Sequence, residues 1–163
     1  MEYRQLGNSG LRVSVLSLGT MTFGGGSVFS KVGAVDIEGG RHQVDLCIDA
    51  GVNLFDTANI YSHGASEEIL GKALEGRRNN VIVATKARMV MHDGPNEGGA
   101  SRHHIIRECE DSLRRLKTDW IDCTKCTNGT VKRLWKRLWR HSIHWFVQEK
   151  SATLAARTIP GGT

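Results

Sequence analysis

Short apolar segments alternate with longer segments of helical periodicity along the first three quarters of the chain, and this alternation restricts its fold. The strand candidates are 13–18, 52–58, 81–84 and a segment that begins at 119. Helices are predicted to start after Asp36, at Ser66 and after Ser101. Strands that alternate with helices build βαβ units, and near-continuous apolar strands are covered on both faces. We therefore predict an α/β fold with about four parallel strands and three helices, preceded by a hairpin at the turn 7–10.

Polar residues follow several of these strands, at the edge where a parallel sheet collects its ligands. The carboxyl ends of parallel strands meet at one edge, and loops there build the binding sites of such folds. The residues in question are Gly19, Thr20, Met21, Asp56, Lys86 and Asp122. We therefore expect the functional site at this edge.

Asp56 and Lys86 end two successive strands, and Tyr61 lies in the loop after the first of them. An ammonium next to a phenol favours the phenolate, and a carboxylate holds the ammonium in place. Such a trio can act as a general acid toward a carbonyl oxygen. The spacing alone also fits a structural ion pair with an ordinary loop tyrosine, so both interpretations stay open at this point.

Four segments of the chain narrow the choice. They are "YRQLGNSGLRVSVLSLGTMTFGGG", "GVNLFDTANIYSHGASEEILGKAL", "VIVATKA" and "SLRRLKTDWID". In order and spacing they resemble successive segments of the aldo/keto reductase family, across residues 1–122. The resemblance implies the N-terminal half of a (β/α)8 barrel of the TIM type. It also implies NADPH-dependent oxidoreductase activity, less often with NADH, that reduces aldehydes and ketones to alcohols.

The resemblance also assigns roles to particular residues. The family uses an Asp, Tyr, Lys, His tetrad, and Asp56, Tyr61 and Lys86 match its first three members. Tyr61 would donate the proton, Lys86 would assist it and Asp56 would hold Lys86. The residues that match the cofactor-binding positions beside the nicotinamide are Gly19, Thr20, Met21 and Asp56.

The pattern of the family breaks after Asp122. The family typically continues with Leu-Tyr-Gln-x-His, whereas this chain has Cys-Thr-Lys-Cys-Thr, with Thr127 at the histidine position. The charge changes at the same point. Residues 1–122 hold 14 of the 22 Lys and Arg and 16 of the 17 Asp and Glu, a net −2, and residues 123–163 carry +7. We therefore divide the chain into a partial barrel, 1–122, and a basic tail outside the family pattern, 123–163.

An out-of-frame translation explains this tail. Codons for Cys-Thr-Lys-Cys-Thr can be chosen so that a one-base shift gives Leu-Tyr-Gln-Val-His. The same shift turns 148–158 into a segment with Gly-Lys-Val-Arg-Tyr-Ile-Gly-Cys-Ser-Asn, a later motif of the family. We interpret the chain as a frameshifted, truncated product. Without the catalytic histidine and the cofactor-clamping half, we expect it to be inactive.

The tail permits other interpretations. Residues 131–146 place apolar and basic residues at helical spacing, which predicts an amphipathic helix for acidic membranes or a partner protein. Cys123 and Cys126 with His141 and His144 resemble a zinc site, but the histidines are too close together, so we expect no metal. The charge alone would attract nucleic acid, but no recognisable module accompanies it. We therefore expect no nucleic-acid partner.

The remaining features concern location and assembly. Residues 1–20 lack the pattern of a signal peptide, and no apolar run in the sequence has the length to span a bilayer. Four cysteines do not make a disulfide scaffold, which favours a reducing cytoplasm and no membrane association. Half a barrel leaves its first and fourth strands without neighbours, so we expect self-association through open sheet edges.

Overall fold

The computed structural model describes residues 1–25, 29, 31–32 and 34–125, and the backbone of two further strands at 143–147 and 153–158. The first two strands, β1 (Tyr3–Gln5) and β2 (Arg12–Ser14), pair antiparallel. The Gly7–Gly10 turn joins them, and Gly7 has a positive φ of 57°. The predicted hairpin is therefore confirmed.

Parallel strands and helices alternate after this hairpin. The strands are β3 (Leu18–Gly19), β4 (Leu54–Asp56), β5 (Ile82–Lys86) and β6 (Trp120–Lys125), and the helices are α1 (Ile37–Asp49), α2 (Ala65–Ala73) and α3 (Arg102–Leu116). Short 310 helices lie at Tyr61–Gly64 and Arg78–Asn80. The strands pair in the order β3-β4-β5-β6, each parallel to the next. This is the predicted α/β arrangement, the N-terminal half of a (β/α)8 barrel. None of the described helices is long and apolar enough to cross a membrane.

Two of the three predicted helix starts are confirmed by their caps. The Asp36 side chain accepts a hydrogen bond from Gly39 N at 2.8 Å, and that of Ser101 accepts from His104 N at 3.2 Å. The third helix, α2, is also present and begins at Ala65, next to the predicted Ser66, but the capping role of Ser66 is wrong, because Gly64 caps α2 without a side-chain hydrogen bond. The Ser66 hydroxyl is fully buried and donates to Thr20 O at 2.7 Å, so it is not available to the helix terminus.

The predicted strand over 13–18 is wrong in its extent. Its first part belongs to β2 and its last residue to β3, and Leu16 between them is 62% exposed. The Ser14 hydroxyl donates to Leu16 O at 2.6 Å, and Ser14 N donates to Asn53 Oδ1 at 2.7 Å. These bonds turn the chain from the hairpin into the main sheet, which an apolar run does not reveal.

One apolar core joins the sheet to the helices. Its buried members are Phe23, Val44, Phe55, Ile69, Leu70, Ala73, Leu74, Val81, Val83, Leu113, Leu116 and Ile121. Burial of each larger apolar side chain contributes about 1.5–3 kcal/mol to the stability of the folded state. Phe55 and Val83 come from β4 and β5, so this packing fixes the two strands whose ends carry the candidate site.

The tail adds two antiparallel strands, β7 (Ile143–Val147) and β8 (Thr153–Thr158). β8 pairs with β6, and β7 pairs with β8. The helix predicted over 131–146 is therefore wrong for 143–146, while 131–142 lie outside the described residues. A helix cannot pair with the backbone of an edge strand, whereas a strand rich in aromatic and β-branched residues can. The expectation that the fourth parallel strand lacks a neighbour is wrong for the same reason.

Candidate active site

Asp56, Lys86 and Tyr61 meet at the carboxyl edge of the sheet. The Lys86 ammonium donates to Asp56 Oδ1, to Thr57 O at 2.9 Å and to the Tyr61 hydroxyl at 3.2 Å. The Lys86 and Asp56 side chains are 17% and 22% exposed. The spacing of the three residues predicted this meeting, and Lys86 is the group that joins the other two.

Tyr61 owes its position to a strained turn. The two residues after it, Ser62 and His63, have left-handed φ angles of 50° and 54°. Such angles cost free energy in residues other than glycine unless surrounding contacts hold them. The Ser62 hydroxyl supplies such contacts, since it donates to Phe23 O at 2.9 Å and accepts from Gly25 N at 3.0 Å. The loop after β3 therefore holds the turn that carries the phenol.

Lys125 is a member of this site that the sequence did not reveal. It pairs with Lys86 in the β5–β6 register, and its ammonium donates to Asp56 Oδ2 at 2.8 Å. Partial burial opposes its charge, but the hydrogen bond to Asp56 and the charge of that carboxylate outweigh burial and raise the Lys125 pKa. The fourth strand was predicted to begin at residue 119, and the family pattern that assigned roles to residues ends at Asp122. Continuing it to residue 125 would have placed this lysine beside Lys86.

The residues predicted for cofactor binding occupy the adjacent strand end. Gly19 is exposed and pairs with Asp56 across β3 and β4. A side chain at Gly19 would meet no atom within 4 Å, so the surface there is open. Met21 is 41% exposed. Thr20 is fully buried, and its hydroxyl lies 2.8 Å from the Ser66 hydroxyl, so its side chain serves to connect the loop to α2.

Asp122 does not belong to this edge. It lies three residues before the end of β6, and its Oδ2 accepts from the Arg78 guanidinium at 2.7 Å and from Val83 N at 2.9 Å. Burial lowers the Arg78 pKa, against the opposing effect of Asp122. The expectation of a functional Asp122 failed because β6 extends to Lys125, and the carboxylate instead ties β5 to β6.

A buried ion pair between α2 and α3 contacts the strand that carries Lys86. Glu67 on α2 is fully buried and accepts from Arg115 Nε on α3 at 2.6 Å. Its other oxygen accepts from the Thr85 hydroxyl at 2.5 Å. Because Thr85 directly precedes Lys86, this network fixes the end of β5 between two helices. No sequence pattern predicts this pair, because Glu67 and Arg115 lie 48 residues apart along the chain.

A second group of titratable side chains lies away from the site. His92, Glu108 and Asp111 have potential metal-ligand atoms within 4.8 Å of one another. Protein partners already engage both carboxylates, since Glu108 accepts from Asn59 Nδ2 at 2.6 Å and Asp111 pairs with Arg114. These ion pairs and hydrogen bonds explain the group without a ligand.

Comparison with known proteins decides the family. The sequence model of the aldo/keto reductase family matches residues 15–128. The chain belongs to the aldo/keto reductase family. This membership confirms the resemblance carried by the four segments, and the matched region includes Asp56, Tyr61, Lys86 and Lys125.

Individual proteins match about three quarters of the chain. A probable voltage-gated potassium channel subunit beta of Oryza sativa is 42% identical over 130 residues, which cover 77% of this chain and 37% of that protein. The aldo-keto reductase YhdN of Bacillus subtilis is 38% identical over 124 residues, covering 75% and 36%. This aldo/keto reductase chain thus spans little more than a third of the length of these curated relatives.

Solved structures of aldo/keto reductases agree with the fold. An aldo-keto reductase of Bacillus halodurans in its holo form superposes with a TM-score of 0.68 and 36% identity, over 85% of this chain and 44% of that one. A putative aldo-keto reductase of Pseudomonas aeruginosa gives a TM-score of 0.65 at 36% identity, over 78% and 48%. In both comparisons most of this chain superposes on a little less than half of an aldo-keto reductase, which agrees with a partial barrel.

Proposed function

We propose that this chain carries the proton-donating site of an NADPH-dependent reductase that converts aldehydes and ketones to alcohols. The supporting observation is the Lys86 ammonium, which bonds both the Asp56 carboxylate and the Tyr61 hydroxyl. Tyr61 donates its proton to the carbonyl oxygen, Lys86 stabilises the phenolate that remains, and Asp56 holds the ammonium in place.

NADPH, when bound, supplies the hydride. The residues that would hold it beside the acid are Gly19, Thr20, Met21 and Asp56. Gly19 fits this role because it is exposed, lacks a side chain and lies in register with Asp56. Met21 contributes an exposed apolar surface. Thr20 would act through its backbone position, since its hydroxyl is already engaged with Ser66.

The 163-residue chain by itself is proposed to be inactive. Thr127 stands where the family has its fourth catalytic residue, a histidine, and it lies outside the described residues. The segment after it carries none of the family's later motifs. We expect neither saturable NADPH binding, measured by cofactor fluorescence, nor aldehyde-dependent oxidation of NADPH. Micromolar NADPH affinity of the purified chain would contradict the proposed inactivity.

The role of Tyr61 is testable in a chain whose reading frame is restored after Asp122. Tyr61→Phe should remove most of its aldehyde reduction, because the proton donor is lost while the cofactor-binding residues stay. Tyr3→Phe is the matched control, since Tyr3 is the other tyrosine of residues 1–122 and its hydroxyl, on β1, donates to Gly51 O just after α1. Equal turnover of Tyr61→Phe and the restored chain would disprove the assigned role.

We also propose that residues 123–163 form a separate segment read out of frame. The sequence at this point supports the proposal, because both the family pattern and the sign of the net charge change after Asp122. The nucleotide sequence around the Asp122 codon tests the proposal. One inserted base should restore Leu-Tyr-Gln-Val-His and the reading frame beyond it, and an intact frame would exclude the proposal.

A non-enzymatic role is the second candidate. The tail concentrates a net charge of +7 in 41 residues, which favours binding to acidic membranes or partner proteins. The relative from Oryza sativa, named as a probable channel subunit, is consistent with a protein partner. Cosedimentation with vesicles containing phosphatidylserine, compared with neutral vesicles, tests the membrane form of this role. Equal cosedimentation with both would exclude charge-driven membrane binding.

A further inference from the structure

The turn after Tyr61 has an unusual backbone conformation. The three residues that follow Tyr61 all have positive φ angles, and these are 50° for Ser62, 54° for His63 and 93° for Gly64. Of the residues other than glycine that the structure describes, only Lys117 shares this conformation. Left-handed angles cost free energy in serine and histidine, whereas glycine adopts them freely. The chain therefore holds strain directly after the phenol.

Ser62 offsets its strain through contacts with the loop after β3. It is 8% exposed, and its hydroxyl donates to Phe23 O at 2.9 Å and accepts from Gly25 N at 3.0 Å. The loop packs closely against this side chain, because a Cβ atom at Gly24 would lie 2.7 Å from Ser62 Cβ. The loop itself is held in place, since Phe23 is fully buried and Gly24 N donates to Val35 O at 2.9 Å. The hydroxyl thus joins the strained turn to a fixed part of the chain.

The Lys86 ammonium is held independently of this turn. It donates to Asp56 at the end of β4 and to Thr57 O directly after that strand. The Tyr61 hydroxyl, which accepts from Lys86 Nζ at 3.2 Å, belongs to the turn instead. A change in the turn would therefore move the phenol while the ammonium stays where it is.

We propose that Ser62 is a positioning residue, whose hydroxyl stabilises the left-handed turn and so keeps the Tyr61 phenol beside the Lys86 ammonium. Proton donation by this phenol rests on the proposed function, whereas the placement of the ring depends on the turn alone. Ser62→Ala keeps the strain and loses both hydrogen bonds. Ser62→Gly loses the same bonds, but glycine takes the left-handed conformation without strain. The two substitutions therefore separate the placement of the phenol from the loss of the hydrogen bonds.

Fluorine NMR of the 163-residue chain tests the placement without an activity assay. Tyr3→Phe leaves Tyr61 as the only tyrosine, so incorporated 3-fluorotyrosine reports the Tyr61 ring alone. In this background Ser62→Ala should move the signal toward that of the unfolded chain, and Ser62→Gly should return it close to the parent position. The comparison holds even if Ser62→Ala unfolds, because Ser62→Gly must still give the parent signal. An unmoved signal in Ser62→Ala, or equal displacement in both variants, would overturn the proposal.

Ser14→Ala is the matched control for the loss of a buried hydroxyl. Ser14 is 3% exposed, and its hydroxyl donates to Leu16 O at 2.6 Å and accepts from Asn53 N at 3.1 Å. The same kinds of bonds are therefore lost, but at the start of the main sheet and not in the turn. The Tyr61 signal should stay unchanged. If Ser14→Ala displaced it as far as Ser62→Ala does, the effect would be one of general stability and the proposal would fail.

Kinetics of the frame-restored chain test the consequence for the reaction. Ser62→Ala should lower kcat for aldehyde reduction by about 10²-fold, the loss expected for a misplacement of about 1 Å, and Ser62→Gly should recover most of it. The KM for NADPH should change far less, because the turn carries the proton donor. The predicted fluorine pattern together with an inactive restored chain would overturn the reductase function and leave the placement of the phenol. An active restored chain that keeps its kcat in Ser62→Ala would overturn the positioning role and leave the reductase function intact.

Discussion

Two buried threonines lie side by side on neighbouring strands and differ in one hydrogen bond. Thr85 and Thr124 pair in the β5–β6 register, and each is 1% exposed. The Thr85 hydroxyl donates to Glu67, whereas the Thr124 hydroxyl has no partner among the described residues. Valine has nearly the same shape as threonine, so substitution isolates the effect of the hydroxyl.

Thr124→Val should therefore raise the free energy of unfolding by about 1 kcal/mol, because it removes a buried unsatisfied group. Thr85→Val should lower it by about 1–3 kcal/mol, since it leaves the buried Glu67 carboxylate without one donor. Urea denaturation followed by circular dichroism measures both. A destabilised Thr124→Val would mean that its hydroxyl has a partner outside the described residues.

The ion pair between Lys125 and Asp56 should make the free energy of unfolding depend on pH. Because Asp56 raises the folded-state pKa of Lys125 despite burial, the pair stabilises the fold fully below the unfolded lysine value of about 10.4. That contribution is lost as the pH rises through the higher folded-state pKa. The stability difference between the parent chain and Lys125→Gln should therefore shrink above about pH 10.4. Lys125→Arg should keep its stability across this range, because guanidinium stays protonated. A difference that is constant from pH 8 to 11 would contradict the ion pair.

At the scale of elements, the contact between α2 and α3 depends on Gly71. A Cβ atom at this position would lie 2.7 Å from the backbone carbonyl of Leu116, at the end of α3. Backbone cannot yield as the end of a side chain can, so Gly71→Ala should destabilise the fold by about 1–3 kcal/mol despite alanine's higher helix propensity. Gly10→Ala is the control, since a Cβ there meets nothing within 4 Å. Thermal unfolding of both variants tests the contact, and equal midpoints would show that the helices separate easily.

Local chemistry made some elements predictable and left others out of reach. Asp36 and Ser101 made the starts of α1 and α3 predictable, because each capping side chain accepts a hydrogen bond from a backbone N–H only three residues later. Asp56, Lys86 and Tyr61 could be placed together because parallel strands bring their carboxyl ends to one edge. The break in the run 13–18 could not be foreseen, since it depends on Asn53, 39 residues further along the chain. Lys125 was missed because β6 continues to Lys125, past the end of the family pattern at Asp122, and only this extension brings its ammonium to Asp56.

At the scale of the whole molecule, the exposed border of the sheet is the decisive feature. Among the described strands β3 has a neighbour on one side only, β4, and it is preceded by Val15 and Leu16, which are 45% and 62% exposed. An edge strand flanked by exposed apolar residues is a template for pairing with another chain. At the opposite border β8 and β7 continue the sheet beyond β6, so that β7 is the edge strand there. The exposed Val15 and Leu16 make β3 the border at which self-association is expected.

Sedimentation velocity over a range of protein concentrations should show this association, and Leu16→Lys should weaken it, because a charge at an edge opposes pairing. Leu46→Lys is the matched control, since Leu46 is 56% exposed on α1, away from the border. If both variants associate equally, the contact does not involve β3. A parent chain that stays monomeric at every concentration and unfolds in one cooperative transition would show that the half barrel closes its own edge.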